Sequence, residues 1–108
     1  MATNTGDMMP DFSNVLFDAE AAVRDAVPAV VRRYRSEGFL TWALIHKIES
    51  EVLADVEATG KFSRRLLDMI RAPSALAYPN DDRPVSFEGH DFVPIVFGAI
   101  ERAWRQVS

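Results

Sequence analysis

Two histidines and one carboxylate are the side chains of this sequence best suited to chemistry. His46 and Glu49 are three residues apart, so they share a flank if residues 41–59 form a helix. Together with His90 they would make a two-histidine, one-carboxylate set, which is a known ligand set for transition metals. No HExxH pattern is present. We therefore interpret both histidines as structural and expect no metal, no cofactor and no enzymatic activity.

The sequence contains no recognisable motif for nucleophilic catalysis or for phosphate binding. The chain contains no cysteine, which excludes thiolate catalysis, disulfides and cysteine-ligated zinc. Ser86 lies four residues before His90, but no glycine-framed turn surrounds that serine. The five glycines are scattered singly, so there is no phosphate-binding loop.

Glu49 interrupts an apolar stripe on the predicted second helix. The stripe consists of Trp42, Ile45, Ile48, Val52 and Val56. At about 100° per residue, Glu49 falls inside this apolar arc. A carboxylate in that position must pair with a cation, face a cleft or lie in an interface. Arg33 is the expected partner within the fold, ahead of Arg64 and Arg65.

Four helices are predicted to position these side chains, and they favour an all-α bundle. The predicted ranges are 11–37, 41–59, 63–72 and 91–106. The first range is kept as one helix because its apolar pattern keeps its phase across Pro28. Pro73 is expected to end the third helix, while Thr41 is expected to cap the second and Asp91 the fourth. Val31 is predicted to face away from the stripe of the first helix. Met69 is predicted to share a face of the third helix with Leu66, and Phe92 to belong to the buried stripe of the fourth. Residues 1–10 are interpreted as a flexible N-terminal segment and residues 11–108 as a single helical domain.

A long irregular loop, residues 73–90, precedes the last helix. Its prolines, glycine and Asn80-Asp81-Asp82 turn signal argue against regular structure. Loops of this length in compact domains are often functional. We prefer the alternative that the loop wraps the bundle and plugs the core with its apolar side chains, which are Leu76, Tyr78, Val85 and Phe87.

Composition narrows the classes of function. The net charge of −4 argues against a nonspecific nucleic-acid binder. No apolar run approaches 18 residues, so no membrane span is expected. Residues 1–10 contain an acidic residue and no apolar core, which is not the pattern of a secretory signal. We expect a cytoplasmic protein.

Residues 41–72 suggest a helix-turn-helix DNA-binding regulator as an alternative function. In such a motif the second helix would bind DNA through Ser63, Arg64, Arg65 and Arg71, since arginines suit phosphate or guanine contacts. Lys61 stands in the turn where such motifs usually bury an apolar residue. The acidic first helix would also repel the DNA backbone.

Off-stripe aromatic side chains favour a protein-binding function instead. Phe17 faces away from the stripe of the first helix, while Phe97 and Trp104 stand at the edge of the last one. These side chains either form an interaction surface or are covered by tail and loop. The preferred hypothesis is a small non-enzymatic adaptor, immunity-type or phage-type inhibitor protein that binds another protein or forms a homodimer. Its expected partner-binding residues are Phe17, Glu49, Arg64, Arg65, Phe97 and Trp104.

Overall fold

The chain folds into an α-helical bundle. The computed structural model describes residues 12–35, 38–90 and 92–106. Within these ranges there are four helices, α1 (Phe12–Tyr34), α2 (Trp42–Ala58), α3 (Arg64–Ala77) and α4 (Ile95–Gln106). This confirms the predicted all-α bundle with a long irregular loop before the last helix. The segment 1–10, predicted to be flexible, lies outside the described residues.

α1 is a single helix that continues through Pro28, as the unbroken phase of its apolar pattern predicts. Pro28 is exposed, so the backbone donor that it lacks lies on the solvent side of the helix. The opposite side packs most extensively against α4 and α2. Its buried residues are Ala19, Val23, Val27, Val30 and Val31. Val31 is thus a core residue, although the sequence pattern predicted that it faces away from the stripe.

α3 is longer than the sequence predicts, because it continues past Pro73 to Ala77. The prediction that Pro73 ends this helix is wrong. An interior proline costs about 3 kcal/mol, a cost that the packing of an amphipathic face can exceed. Leu66 and Leu67 are buried near the start of the helix, and Tyr78, directly after its end, is buried against other core rings, so packing contacts stand on both sides of Pro73. As a consequence, Arg71 lies in the middle of a helix rather than at its end.

α4 begins at Ile95, four residues later than predicted. The Pro94 carbonyl accepts a 2.9 Å hydrogen bond from the Gly98 amide and closes the first turn. The predicted cap, Asp91, lies outside the described residues. Phe92 precedes the helix instead of belonging to its buried stripe, and its side chain is exposed.

The loop between α3 and α4 is fastened to the first turn of α2. The Arg83 carbonyl accepts a 2.9 Å hydrogen bond from the Trp42 amide, and the Asp81 carbonyl a 2.7 Å bond from the Ala43 amide. A third bond, of 2.9 Å, runs from the Val85 amide to a carbonyl in the segment before α2. The loop therefore supplies acceptors that the first turn of a helix lacks.

Loop side chains also fill the core beside α2. The rings of Tyr78 and Phe87 lie 5.4 and 5.7 Å from the Trp42 ring, measured between centroids. The Phe97 ring of α4 lies 5.4 Å from that of Tyr78. This confirms that Tyr78 and Phe87 plug the core. The side chain of Leu76, predicted to do the same from the loop, is outside the described part of the structure.

Candidate functional site

Glu49 is fully buried and forms an ion pair with Arg71. Its Oε1 lies 3.6 Å from Nε of Arg71, and the side chains are 1% and 35% exposed. Arg71 also donates a 3.2 Å hydrogen bond to the Ser50 hydroxyl through Nη2. Glu49 therefore lies inside the fold, where a binding partner has no direct access to it.

Arg33, the expected partner of Glu49, pairs with other residues. It contacts Glu51 and Asp55 at 2.9 Å each, and these hydrogen bonds, that of Glu51 first, raise its pKa. The prediction of a Glu49–Arg33 pair is wrong for a geometric reason. Glu51 and Asp55 are one turn apart on α2, whereas Glu49 is about 200° around the helix from Glu51.

Arg64 is occupied by carboxylates on two helices. It contacts Glu57 at 2.9 Å and Asp68 at 3.1 Å. The hydrogen bond to Glu57, followed by the charge of Asp68, raises the pKa of Arg64. Such exposed pairs contribute little to stability because water screens them, so their main effect is to neutralise the basic start of α3. Arg65 is exposed.

The two histidines join the aromatic cluster and not a metal site. The His46 ring lies 5.1 Å from the Phe97 ring, and the His90 ring lies 4.8 Å from the Tyr78 ring. Within the described residues, no group of three or more histidine, cysteine, aspartate or glutamate residues is placed to hold a metal ion. The hypothetical set of His46, Glu49 and His90 is therefore not assembled.

A polar pocket of about 330 Å³ opens beside His46. Six of its seven lining residues are polar, namely His46, Lys47, Ser50, Arg71, Tyr78 and Asn80. His46 Nε2 lies 2.7 Å from the Pro79 carbonyl oxygen. Because a carbonyl only accepts, Nε2 carries the proton and donates it. Burial raises the pKa of Tyr78, so its hydroxyl is protonated at neutral pH and is available as a donor.

The predicted aromatic contacts separate into one exposed side chain and two buried ones. Phe97 is fully buried, and Trp104 lies under the Arg35 guanidinium, 5.1 Å from the ring centroid. Phe97 and Trp104 are therefore covered by other parts of the fold and do not form an exposed interaction surface. Phe17 is 62% exposed, as the sequence pattern predicts.

An apolar groove of about 280 Å³ lies where α1, α3 and the start of α4 meet. Its apolar lining consists of Leu16, Met69, Ile70, Phe92, Pro94 and Ile95, with Glu20 as the one charged residue. Met69, Phe92 and Ile95 are 49%, 56% and 39% exposed. They account for half of the six large apolar side chains that the described residues expose. We define these seven residues as the apolar groove.

Sequence reasoning missed this groove because it assigned its residues to buried stripes. Met69 shares a helical face with the buried Leu66, and Phe92 continues the apolar pattern of α4. Periodicity identifies the apolar face of a helix but not the part of that face which its neighbours cover. Because α4 begins only at Ile95, Phe92 lies outside the helix and is not buried by it, and the sequence pattern did not indicate this late start.

Residues 10–108 match the family model described as Protein of unknown function (DUF2471). The matched range contains all four described helices, the polar pocket and the apolar groove. No curated protein and no solved structure shows significant similarity to the chain. None of the described helices is long and apolar enough to cross a membrane.

Proposed function

The chain belongs to the DUF2471 family, and we propose that it is a small, non-enzymatic, cytoplasmic binding protein of the adaptor, immunity or inhibitor type. It acts by holding an amphipathic helix of another protein in the apolar groove. The observation that carries this proposal is the concentration of exposed Met69, Phe92 and Ile95 around one groove.

The side-chain types of the groove suit helix docking. Phenylalanine supplies large apolar contact area, and methionine adapts its shape to irregular partners. Helices bind to such grooves through apolar anchors spaced three and four residues apart. The one charged residue of the groove, Glu20, is acidic. Charge complementarity therefore favours a partner helix with lysine or arginine beside its apolar anchors.

The alternative function, a helix-turn-helix regulator using residues 41–72, has weaker support. Arg64 is already paired with Glu57 and Asp68, and Arg71 lies at the polar pocket, less exposed than the start of α3. Arg65 is then the exposed arginine of α3 that remains to contact DNA. Electrophoretic mobility shifts at several salt concentrations test this alternative, because phosphate contacts weaken steeply with salt.

Site-specific photo-crosslinking tests the groove directly. A photoreactive phenylalanine analogue replaces Phe92 in one protein and Phe39 in another, and both are expressed in the native host. The two positions match, since both are exposed phenylalanines, but Phe39 is not part of the groove. We expect a protein that crosslinks at position 92 and not at position 39.

The crosslinked protein is then purified and titrated against the unmodified chain and against Met69→Asp. A charge in the groove should weaken binding at least about tenfold, as the loss of an interface hot spot does. Phe39→Asp is the matched control and should bind as tightly as the unmodified chain. Equal crosslinking at both positions, or equal affinity of Met69→Asp, would overturn the proposal.

A further inference from the structure

We propose that the polar pocket is a binding site for a small organic anion that carries a carboxylate or phosphate group. The pocket shares no lining residue with the apolar groove, so this site is separate from the proposed protein-binding surface. Its position beside α2 is set by His46 and Ser50 on that helix, Arg71 on α3 and Asn80 on the loop.

The pocket is a cationic region in an acidic protein. Lys47 and Arg71 line it, and none of its seven lining residues is an aspartate or glutamate. The whole chain, by contrast, has a net charge of −4. Glu49 offsets part of the Arg71 charge from the buried side, so the positive charge of the pocket comes mainly from Lys47, and this charge favours an anionic ligand.

Arg71 is held in a fixed orientation toward such a ligand. Its Nε faces the buried Glu49 and its Nη2 donates to Ser50. Its Nη1 makes no hydrogen bond within the described part of the chain and so keeps its donors for a ligand. Guanidinium groups bind carboxylate and phosphate oxygens with well-defined geometry, and a group that is already oriented loses less entropy when it binds.

Tyr78 adds a buried donor that has no hydrogen-bond partner among the described residues. This residue is 9% exposed, it lines the pocket, and its hydroxyl makes no hydrogen bond to any described residue. The Ser50 hydroxyl accepts from Arg71, which leaves its own proton to donate. The Asn80 side chain contributes amide donors. Donors thus surround the pocket from α2, α3 and the loop.

The size of the pocket limits the ligand to a small molecule. Its volume of about 330 Å³ lies at the lower end of the range for small-molecule sites. That space suits a metabolite of a few carbon atoms with one anionic group. The anionic group would contact Arg71 and Tyr78, while Lys47, whose Nζ lies 5.3 Å from the centroid of the Tyr34 ring, would add positive charge nearby.

Titrations with inorganic phosphate and with acetate test this inference, and nuclear magnetic resonance follows the backbone amides at constant ionic strength. We expect at least one probe to cause saturable shifts at Lys47, Tyr78 and Asn80, with a Kd of about 1 mM. Phosphate alone, acetate alone or both would each support the site and identify its preferred anionic group. The absence of saturable shifts with both probes would overturn it.

Two pairs of variants locate the binding. Tyr78→Phe removes only the hydroxyl and should weaken binding severalfold. Tyr34→Phe removes a hydroxyl outside the pocket but keeps the ring beneath Lys47, so it should leave binding unchanged. Lys47→Gln should weaken binding about tenfold, whereas Lys61→Gln makes the same change of charge outside the pocket and should have no effect. Unchanged affinity in Tyr78→Phe, or equal losses in the two lysine variants, would show diffuse attraction and contradict a built site.

Discussion

Nε of Arg71 lies 3.6 Å from Oε1 of Glu49, and this ion pair connects α3 to the buried face of α2. The glutamate is the one charged residue among the buried residues of the described chain. Its carboxylate interrupts an apolar stripe, and Arg71 supplies the opposite charge from the neighbouring helix. The pair also orients Arg71 at the edge of the polar pocket.

Removal of Arg71 should destabilise the protein more than removal of Glu49. Arg71→Ala leaves a carboxylate in the core, and breaking a buried pair in this way costs about 3 kcal/mol or more. Glu49→Ala leaves an arginine that is already 35% exposed and that can turn into water. Urea unfolding measures both free energies. Arg65→Ala, at an exposed position of the same helix, is the control and should change stability by less than about 0.5 kcal/mol. The reverse order of the two losses would contradict the pairing.

The tie between the loop and α2 should slow hydrogen exchange in the first turn of that helix. The Trp42 and Ala43 amides donate to the Arg83 and Asp81 carbonyls. First-turn amides normally lack protein acceptors and exchange rapidly. We expect Trp42 and Ala43 to exchange more slowly than Arg65, which occupies the corresponding turn of α3. Equal exchange rates would show that the loop is not bound to the helix in solution.

Asp81 gives this loop a defined acid sensitivity. The Arg83 side chain, followed by the Arg83 amide, donates hydrogen bonds that hold the pKa of Asp81 below its usual range. A carboxyl with a depressed folded-state pKa stabilises the fold above its unfolded-state pKa, and this stabilisation is lost as the pH falls through the folded-state value. Magnetic resonance titration should show this low pKa, and Arg83→Gln should raise it. An identical Asp81 titration in both proteins would contradict the assigned cause.

The bundle and most helix positions follow from the sequence, whereas the charge pairs and the groove do not. Apolar periodicity predicts the buried face of α1 across Pro28. The capping preference of threonine predicts Thr41 as the N-cap of α2, where its hydroxyl accepts a hydrogen bond from the Leu44 amide. Both predictions succeed because they depend only on nearby residues. Arg71, the partner of Glu49, lies within the predicted third helix, but its pairing depends on how α3 packs against α2. The length of α3 was missed for a separate reason. Local rules end that helix at Pro73, but tertiary packing carries it to Ala77.

Site residues were harder to predict because exposure is a property of the whole fold. Phe17 was correctly placed on the surface, since one helical wheel is enough to show it. Phe97 was placed at the edge of a stripe, but Tyr78 and His46 cover it from two other elements. Phe92 was assigned to a buried stripe, but it precedes α4 and lies exposed. A single helix pattern contains no information about those neighbours.

Two glycines should respond to alanine in opposite ways. Gly60 has φ of +77° at the end of α2, a conformation that strains any residue with a Cβ, so Gly60→Ala should destabilise by about 1 kcal/mol. The backbone of Gly98 does not have a positive φ. A Cβ there would lie 3.4 Å from Nη1 of the flexible Arg102 side chain and 3.6 Å from Val93. Gly98→Ala should therefore stabilise by about 0.4–1 kcal/mol through its higher helix propensity. Thermal unfolding measures both changes, and destabilisation by Gly98→Ala would indicate tighter packing around α4.

Phe17 should contribute to partner binding without holding two copies of this chain together. It lies one turn before Glu20 on α1, so it places an apolar side chain next to the apolar groove, on the side of Glu20. Because its side chain is 62% exposed, Phe17→Asp should change stability by less than about 0.5 kcal/mol. Light scattering should give the same mass for the unmodified chain and for Phe17→Asp, while affinity for the protein crosslinked at position 92 falls. If the mass instead drops from dimer to monomer in Phe17→Asp, a second copy of this chain occupies the surface. The helix bound in the groove would then belong to that second copy.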